Sequence, residues 1–371
     1  MSIRIILILL VFHTTHAQEH CQEEALERFK ELVSKNYLWR DRIESMEWKS
    51  LEDAIKYLRE KGDRWTNITK LEEDKVWYSE AKMFGVGVRW DDEGVIIRVF
   101  KNSPAEKAGL REGDRILSVD GIEGKDLWSK TIRSVAVGSK ISIVLKRDEE
   151  IMAFYITKGE FFVPPVEDVR VIQMDGKRIG YIALTNFTKP AIQEFSKGLN
   201  YINAQKVDAL VLDLRNNSGG LVSITKGIAD MLVGGNGIMF YLDSINGKMD
   251  VYSFKREEIY FKKPILVFVN RFTASAAELF TVLLKTYAKA TVAGELTVGK
   301  YVGTNLYPLD SCGDVLRLVT FEMKLPNGNT ITDDKGILPD CVIKAKGDDG
   351  LSMALGCLKE KISLEPSLAH P

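Results

Sequence analysis

Pro264-Ile265-Leu266-Val267-Phe268-Val269-Asn270-Arg271-Phe272-Thr273-Ala274-Ser275-Ala276-Ala277-Glu278 decides the fold of the largest part of the chain. Residues 264–269 are almost continuously apolar, which predicts a strand buried on both faces, as in a parallel sheet covered by helices. A polar turn follows. Ser275-x-x-Glu278 then has the form of a capping box before an apolar run, predicting a helix over residues 276–289. The same alternation recurs on either side: a strand at 178–184, a helix at 190–203, a strand at 209–214 and a strand at 290–293. Strands alternating with helices predict an α/β domain with parallel strands.

Right-handed crossovers put successive parallel strand ends on one edge of the sheet, where ligands of open α/β folds bind. Three segments follow such ends: Asn216-Asn217-Ser218-Gly219-Gly220, Asn270 to Ser275, and Gly294-Glu295-Leu296-Thr297-Val298-Gly299-Lys300. With neighbouring strands, a glycine-rich turn, a serine at a helix start and a lysine converge. Free N–H groups and the dipole at a helix N-terminus stabilise negative charge, so the N–H of Ala276 suits an oxyanion, with Gly220 as second donor. Lys300 is a base near neutrality only if burial lowers its pKa from about 10.4. Taken singly, Ser275 is a helix cap, Gly219-Gly220 a turn and Lys300 a solvated lysine; capping and nucleophile are compatible at Ser275. Gly294 to Lys300 also fits the start of a phosphate loop, but Tyr301 stands where that motif needs Ser or Thr and no helix follows, so no nucleotide is expected.

Composition narrows the chemistry. The chain has 371 residues, enough for two or three domains, and a formal net charge of −1, which gives no reason to expect nucleic acid as a partner. Its four histidines are His13, His16, His20 and His370, so residues 21–369 contain none. A Ser-His or Cys-His pair inside the fold is excluded, as are histidine metal ligands; no metal and no cofactor are expected.

The first residues read as a secretory signal peptide: Arg4, an apolar run from Ile5 to Phe12, and Thr15-His16-Ala17 as a cleavage site after Ala17. Export to the periplasm or another extracytoplasmic space is expected, which permits disulfides among Cys21, Cys312, Cys341 and Cys357. Cys312 and Cys341 share one short segment and are the expected pair on proximity alone. Residues from about 22 to 80 read as helical, with Leu26, Phe29 and Val33 on one side and Ser50 capping a helix that runs to Glu60. Residues 83 to about 160 read as short strands, at 95–99, 116–119 and 141–145, with Ser103-Pro104 opening a short helix that Gly109 stops.

Residues from about 83 to 343 resemble the carboxyl-terminal processing peptidases, or tail-specific proteases. The resemblance is carried by Leu212 to Leu221, Val269 to Glu278, Gly294 to Lys300 and Gly336-Ile337-Leu338-Pro339-Asp340. It implies a Ser275–Lys300 dyad, oxyanion donors at Gly220 and Ala276, and a PDZ domain whose Val86, Gly87 and Val88 amides hold a peptide carboxylate. Three positions depart from the family pattern. Thr304 stands where a lysine-orienting Gln is common, Thr286 where an Asp is common, and Tyr301 replaces a Gly. The expected architecture is multidomain α+β: signal peptide 1–17, N-terminal helical region 18–81, PDZ-like domain 82–161, serine protease core with βαβ units 162–346, and C-terminal helix and tail 347–371. The expected function is an exported serine endopeptidase acting on proteins or peptides with accessible C-termini, with an adaptor or regulator protein as a further partner. The alternative from another class is a catalytically silent, PDZ-containing peptide-binding scaffold.

Overall fold

Apolar runs that cannot face water on either side stack into one six-stranded sheet. The computed structural model describes residues 22–364 apart from 246, 248, 256, 258–260, 311–312 and 345–346. The expected signal peptide, its cleavage site and all four histidines lie outside the described residues. The sheet is built from β1 (Val166–Met174), β2 (Lys177–Leu184), α1 (Ala191–Ala204), β3 (Ala209–Asp213), α2 (Val222–Ala229), β4 (Ile265–Val269), α3 (Ala276–Tyr287), β5 (Thr291–Gly294), β6 (Cys341–Val342) and α4 (Gly347–Leu364). Its strand order is β6-β5-β4-β3-β2-β1. Strands β2 to β6 are parallel, and only β1 is antiparallel to its neighbour.

Every residue of β3 and β4 is buried, as their unbroken apolar character requires. Alternate side chains serve two cores. Ile265, Val267 and Val269 join Phe195, Ile228, Leu279 and Phe280 of α1, α2 and α3. Leu266 and Phe268 join Leu351, Ala354, Leu355 and Leu358 of α4. Helix α4 is also bonded covalently: Cys341 pairs with Cys357, with Cα atoms 6.5 Å apart. This corrects the expected Cys312–Cys341 pair, whose Cys312 lies outside the described residues. Proximity along the chain did not decide the partner; packing of α4 against the sheet did.

A second, antiparallel sheet joins Asn67–Lys70, Asp314–Lys324, Ile238–Ser244 and Met249–Ser253, with Val302–Pro308 also paired to Asp314–Lys324. A helix over residues 22–36 and another over Leu51–Glu60 pack on it, burying Phe29, Val33 and Leu58 with Val302, Leu316 and Leu318. Ser50 caps the second helix, accepting from the N–H of Asp53 at 3.1 Å. The strand Asn67–Lys70 was not anticipated. Its four residues, Asn-Ile-Thr-Lys, are too few to show a period, and pairing with Asp314–Arg317 makes them extended.

The chain divides into two compact units. The first holds both sheets and includes the residues up to Asp74; the second is Lys75–Pro165 with Thr188–Pro190. The second unit is β-rich, with Arg115–Val119, Lys140–Arg147 and Glu150–Thr157 forming a three-stranded sheet. Ile116, Ile141, Ile143 and Leu145 form its core with Trp128 and Ile132 of the helix Lys125–Ser134. Ser103 caps the helix Pro104–Ala108 and Gly109 ends it at φ +89°. Among the described residues no helix is long and apolar enough to cross a membrane.

Candidate active site

The carboxyl ends of β3, β4 and β5 are neighbours, so the loops that leave them meet. Loop 214–220 and loop 270–275 are tied side by side. Asn216 N–H donates to Asn270 Oδ1 at 2.9 Å, and Asn270 Nδ2 donates to Asn216 Oδ1 at 3.0 Å. Thr273 Oγ1 donates to the Leu214 carbonyl at 2.9 Å, and Ala274 N–H to the Asn217 carbonyl at 3.0 Å. The third loop joins through Val298 N–H, which donates to the Thr273 carbonyl at 3.0 Å.

This clamp holds Ser275 in a conformation its side chain disfavours. Ser275 has φ +57° and ψ −120° at the start of α3. Such backbone strain costs about 1–3 kcal/mol and persists only where the surroundings enforce it. One of those surroundings is Gly219: a Cβ there would lie 2.8 Å from the Ala274 carbonyl oxygen and 2.9 Å from the Ala276 nitrogen. Only a glycine lets the two turns come this close. Among the described residues no acceptor takes the N–H of Gly220 or of Ala276. Ala276 directly follows Ser275, and Gly220 directly follows Gly219, where a Cβ would lie 3.1 Å from that of Ser275.

The carboxylate of Glu278 is fully buried. Its Oε2 accepts from the N–H of Ser275 at 2.7 Å and from the N–H of Lys300 at 2.8 Å. Its Oε1 accepts from Thr297 Oγ1 at 2.5 Å and from the N–H of Gly299 at 2.7 Å. A single carboxylate oxygen therefore binds the backbone of both Ser275 and Lys300. Ile337 N–H donates to Thr297 Oγ1 at 2.8 Å, so the segment after Gly336 is fastened to the same cluster.

Ser275 and Lys300 are both half-buried. Burial pushes the Lys300 amine down to about 8; Arg317 adds to that shift, while Asp63 and Glu278 oppose it. Nζ lies 5.1 Å from the ring centroid of Trp65. Thr304 sits in the strand Val302–Pro308, paired with Val319 beside a shift in register. Tyr301 packs partly buried between the two cores, and Thr286 is exposed on α3.

In the second unit, Val86-Gly87-Val88 bends at Gly87, with φ +86°. A Cβ on Gly87 would overlap Ser103 Cβ at 2.2 Å. Ala105 N–H donates to the Val86 carbonyl at 2.7 Å and Phe100 N–H to the Gly87 carbonyl at 3.0 Å. The carbonyls are thus held inward, and among the described residues the N–H groups of Val86 and Gly87 have no acceptor.

The site also contains residues that sequence reasoning missed. Asp213, buried at the end of β3, accepts from Tyr181 Oη at 2.7 Å and from Arg215 Nη2 at 2.6 Å, and Arg215 lies 4.1 Å over the Phe268 ring. Glu278 was legible as a cap, but nothing in its spacing announced the lysine side of its role. Trp65 carried no signal at all, being distant in sequence from Lys300.

Residues 178–343 match the model of peptidase family S41, and residues 83–157 match the PDZ domain model. The chain is 30% identical over 276 residues to a carboxyl-terminal-processing protease of Picosynechococcus, covering 71% of this chain and 65% of the relative. It is 30% identical over 263 residues to a carboxy-terminal processing protease of Bacillus subtilis, covering 68% of this chain and 53% of the relative. The chain thus spans 53–65% of the length of these two relatives. Among solved structures, the photosystem II D1 C-terminal processing protease shares the fold at TM-score 0.63 and 24% identity, over 89% of this chain and 96% of that one. A putative S41 protease from Bacteroides fragilis does so at TM-score 0.63 and 18% identity, over 91% of this chain and 97% of that one. Residues 178–343 therefore form a peptidase family S41 domain behind a PDZ domain over residues 83–157, and the chain is similar to carboxyl-terminal processing proteases over 71% of its length.

Proposed function

We propose that this chain is an exported serine endopeptidase with Ser275 as nucleophile and Lys300 as general base. The observation that carries the reading is the shared oxygen of Glu278, which binds the backbone of both residues at the mouth of α3. Ser275 Oγ attacks the scissile carbonyl carbon while its proton passes to neutral Lys300 Nζ. The N–H groups of Ala276 and Gly220 receive the oxyanion, helped by the dipole of α3. The intermediate collapses to the Ser275 ester as Lys300 returns the proton to the leaving amine. Water, deprotonated by Lys300, then attacks the ester carbonyl, and Lys300 returns that proton to Ser275 Oγ as the acyl group departs as the new C-terminal carboxyl. Every step uses groups of this chain and of the substrate.

The N–H groups of Val86, Gly87 and Val88 would hold the terminal carboxylate of a substrate that adds as a strand to the PDZ domain. Thr304 is retained as a candidate orienting group for the lysine. The Cys341–Cys357 disulfide supports residence in an oxidising compartment.

The purified mature chain is assayed on an unstructured polypeptide bearing either a free or an amidated C-terminus. Ser275→Ala and Lys300→Ala each abolish cleavage, and amidation slows it. Wild-type cleavage by Ser275→Ala excludes Ser275 as the nucleophile.

A further inference from the structure

A lysine that must give and take a proton needs its amine held in place without a carboxylate, since an ion pair would keep it protonated. The charged groups that act on Lys300 are Arg317 on the strand Asp314–Lys324, Asp63 on the turn after the helix Leu51–Glu60, and Glu278 on α3. Glu278 is occupied by four other donors, and Asp63 by its own turn. Asp63 Oδ1 accepts from the N–H groups of Trp65 and Thr66 at 2.7 and 2.9 Å, and Oδ2 accepts from Tyr37 Oη at 3.0 Å. Thr66 Oγ1 accepts from the N–H of Val319 at 3.2 Å, which fastens the turn to the second sheet. Val319 also pairs with Thr304, on the strand that follows Lys300. The ring of Trp65 and the amine of Lys300 are therefore fixed on one framework, 5.1 Å apart. Arg64 also lies over this ring, at 4.9 Å.

We infer that Trp65 is a positioning residue for Lys300: its ring shields the amine from water and gives the ammonium a π face in place of a hydrogen-bonded partner. The inference rests on Lys300 being the base. Shielding favours the neutral amine that accepts the Ser275 proton. Once protonated, the amine meets the negative ring face, which returns about 2- to 30-fold of the roughly 300-fold by which burial disfavours the ammonium, so the shielding outweighs it and the neutral form stays favoured. The turn Asp63–Thr66 thus makes the N-terminal region part of the catalytic apparatus, not only a cover for the second sheet.

The test compares kcat and KM against pH for the full mature chain and its Trp65→Phe, Trp65→Leu, Trp65→Ala and Thr304→Val variants. Trp65→Ala and Trp65→Leu are expected to lose about tenfold in kcat near neutrality with little change in KM. In Trp65→Ala the limb that reports the base moves to higher pH as water reaches the amine, and Trp65→Phe restores most of the rate. NMR titration of the Lys300 amine in a Ser275→Ala background reads the same shift without turnover. Should Trp65→Ala fail to fold, Trp65→Leu, which retains an apolar side chain, carries the comparison. An unchanged kcat and pH limb in Trp65→Leu overturns the inference, as does a Thr304→Val loss larger than that of Trp65→Leu. Activity surviving in Lys300→Ala overturns the base assignment itself, a separate outcome.

Discussion

Lys300 is useful as a base only to the extent that it is neutral. At about 8, roughly one molecule in ten holds the neutral amine at pH 7; at 10.5 it would be about one in three thousand. kcat/KM is therefore expected to rise with pH and level off above about 8, and a rate profile across that range checks it. The same burial is a cost to the fold. The folded-state pKa lies below the unfolded one, so the penalty is fully present below about 8 and disappears above 10.5. Lys300→Met is accordingly expected to stabilise the inactive protein by about 1–3 kcal/mol at neutral pH, with the gain fading as pH rises through that window. Denaturant unfolding at several pH values measures it. Glu278 is buried differently: its two oxygens accept four hydrogen bonds, so its polar atoms are satisfied.

At the scale of elements, the site is three loops pressed together by strand order. The close approach at Gly219 leaves no room for a methyl group between the Ala274 carbonyl and the Ala276 N–H, and the φ of Gly219 is +98°. Gly219→Ala is expected to force the 216–220 turn away from α3, with a loss of about 1–3 kcal/mol in stability and at least about a hundredfold in kcat/KM. Thermal unfolding and steady-state kinetics report the two effects separately. The strained Ser275 backbone has the same origin. Hydrogen bonds made by Asn216, Asn270 and Thr273 close around it, and Glu278 accepts from its N–H; of these partners only Glu278 lies within its own helix turn.

For the molecule as a whole, the N-terminal helices are structural to the larger unit. Phe29, Val33 and Leu58 share a core with Val302, Leu316, Leu318 and Val319 of the second sheet. Arg317 of that sheet forms an ion pair with buried Asp74, at the boundary of the larger unit. Removing residues 18–60 uncovers these apolar side chains, so the remainder is expected to aggregate or remain unfolded and not to persist as a smaller protease. Circular dichroism and size-exclusion chromatography of the truncated chain decide this. The PDZ unit has its own core around Ile141, Ile143, Leu145 and Trp128, as expected of a separately packed module.

The sequence by itself determined the layers: continuous apolar runs at 209–214 and 264–269 required a sheet covered on both faces, and Ser50, Ser103 and Ser275 marked helix starts through their caps. It also excluded imidazole chemistry, because no histidine lies between residues 21 and 369. These are local properties, written in consecutive residues and in composition. Only the tertiary structure decided that Glu278 binds both Ser275 and Lys300, that Trp65 faces the lysine, that Asn67–Lys70 becomes a strand and that Cys341 bonds Cys357. Each of those depends on which distant segments share a sheet edge or a core, and contact between such segments is set by packing and leaves no period in the chain.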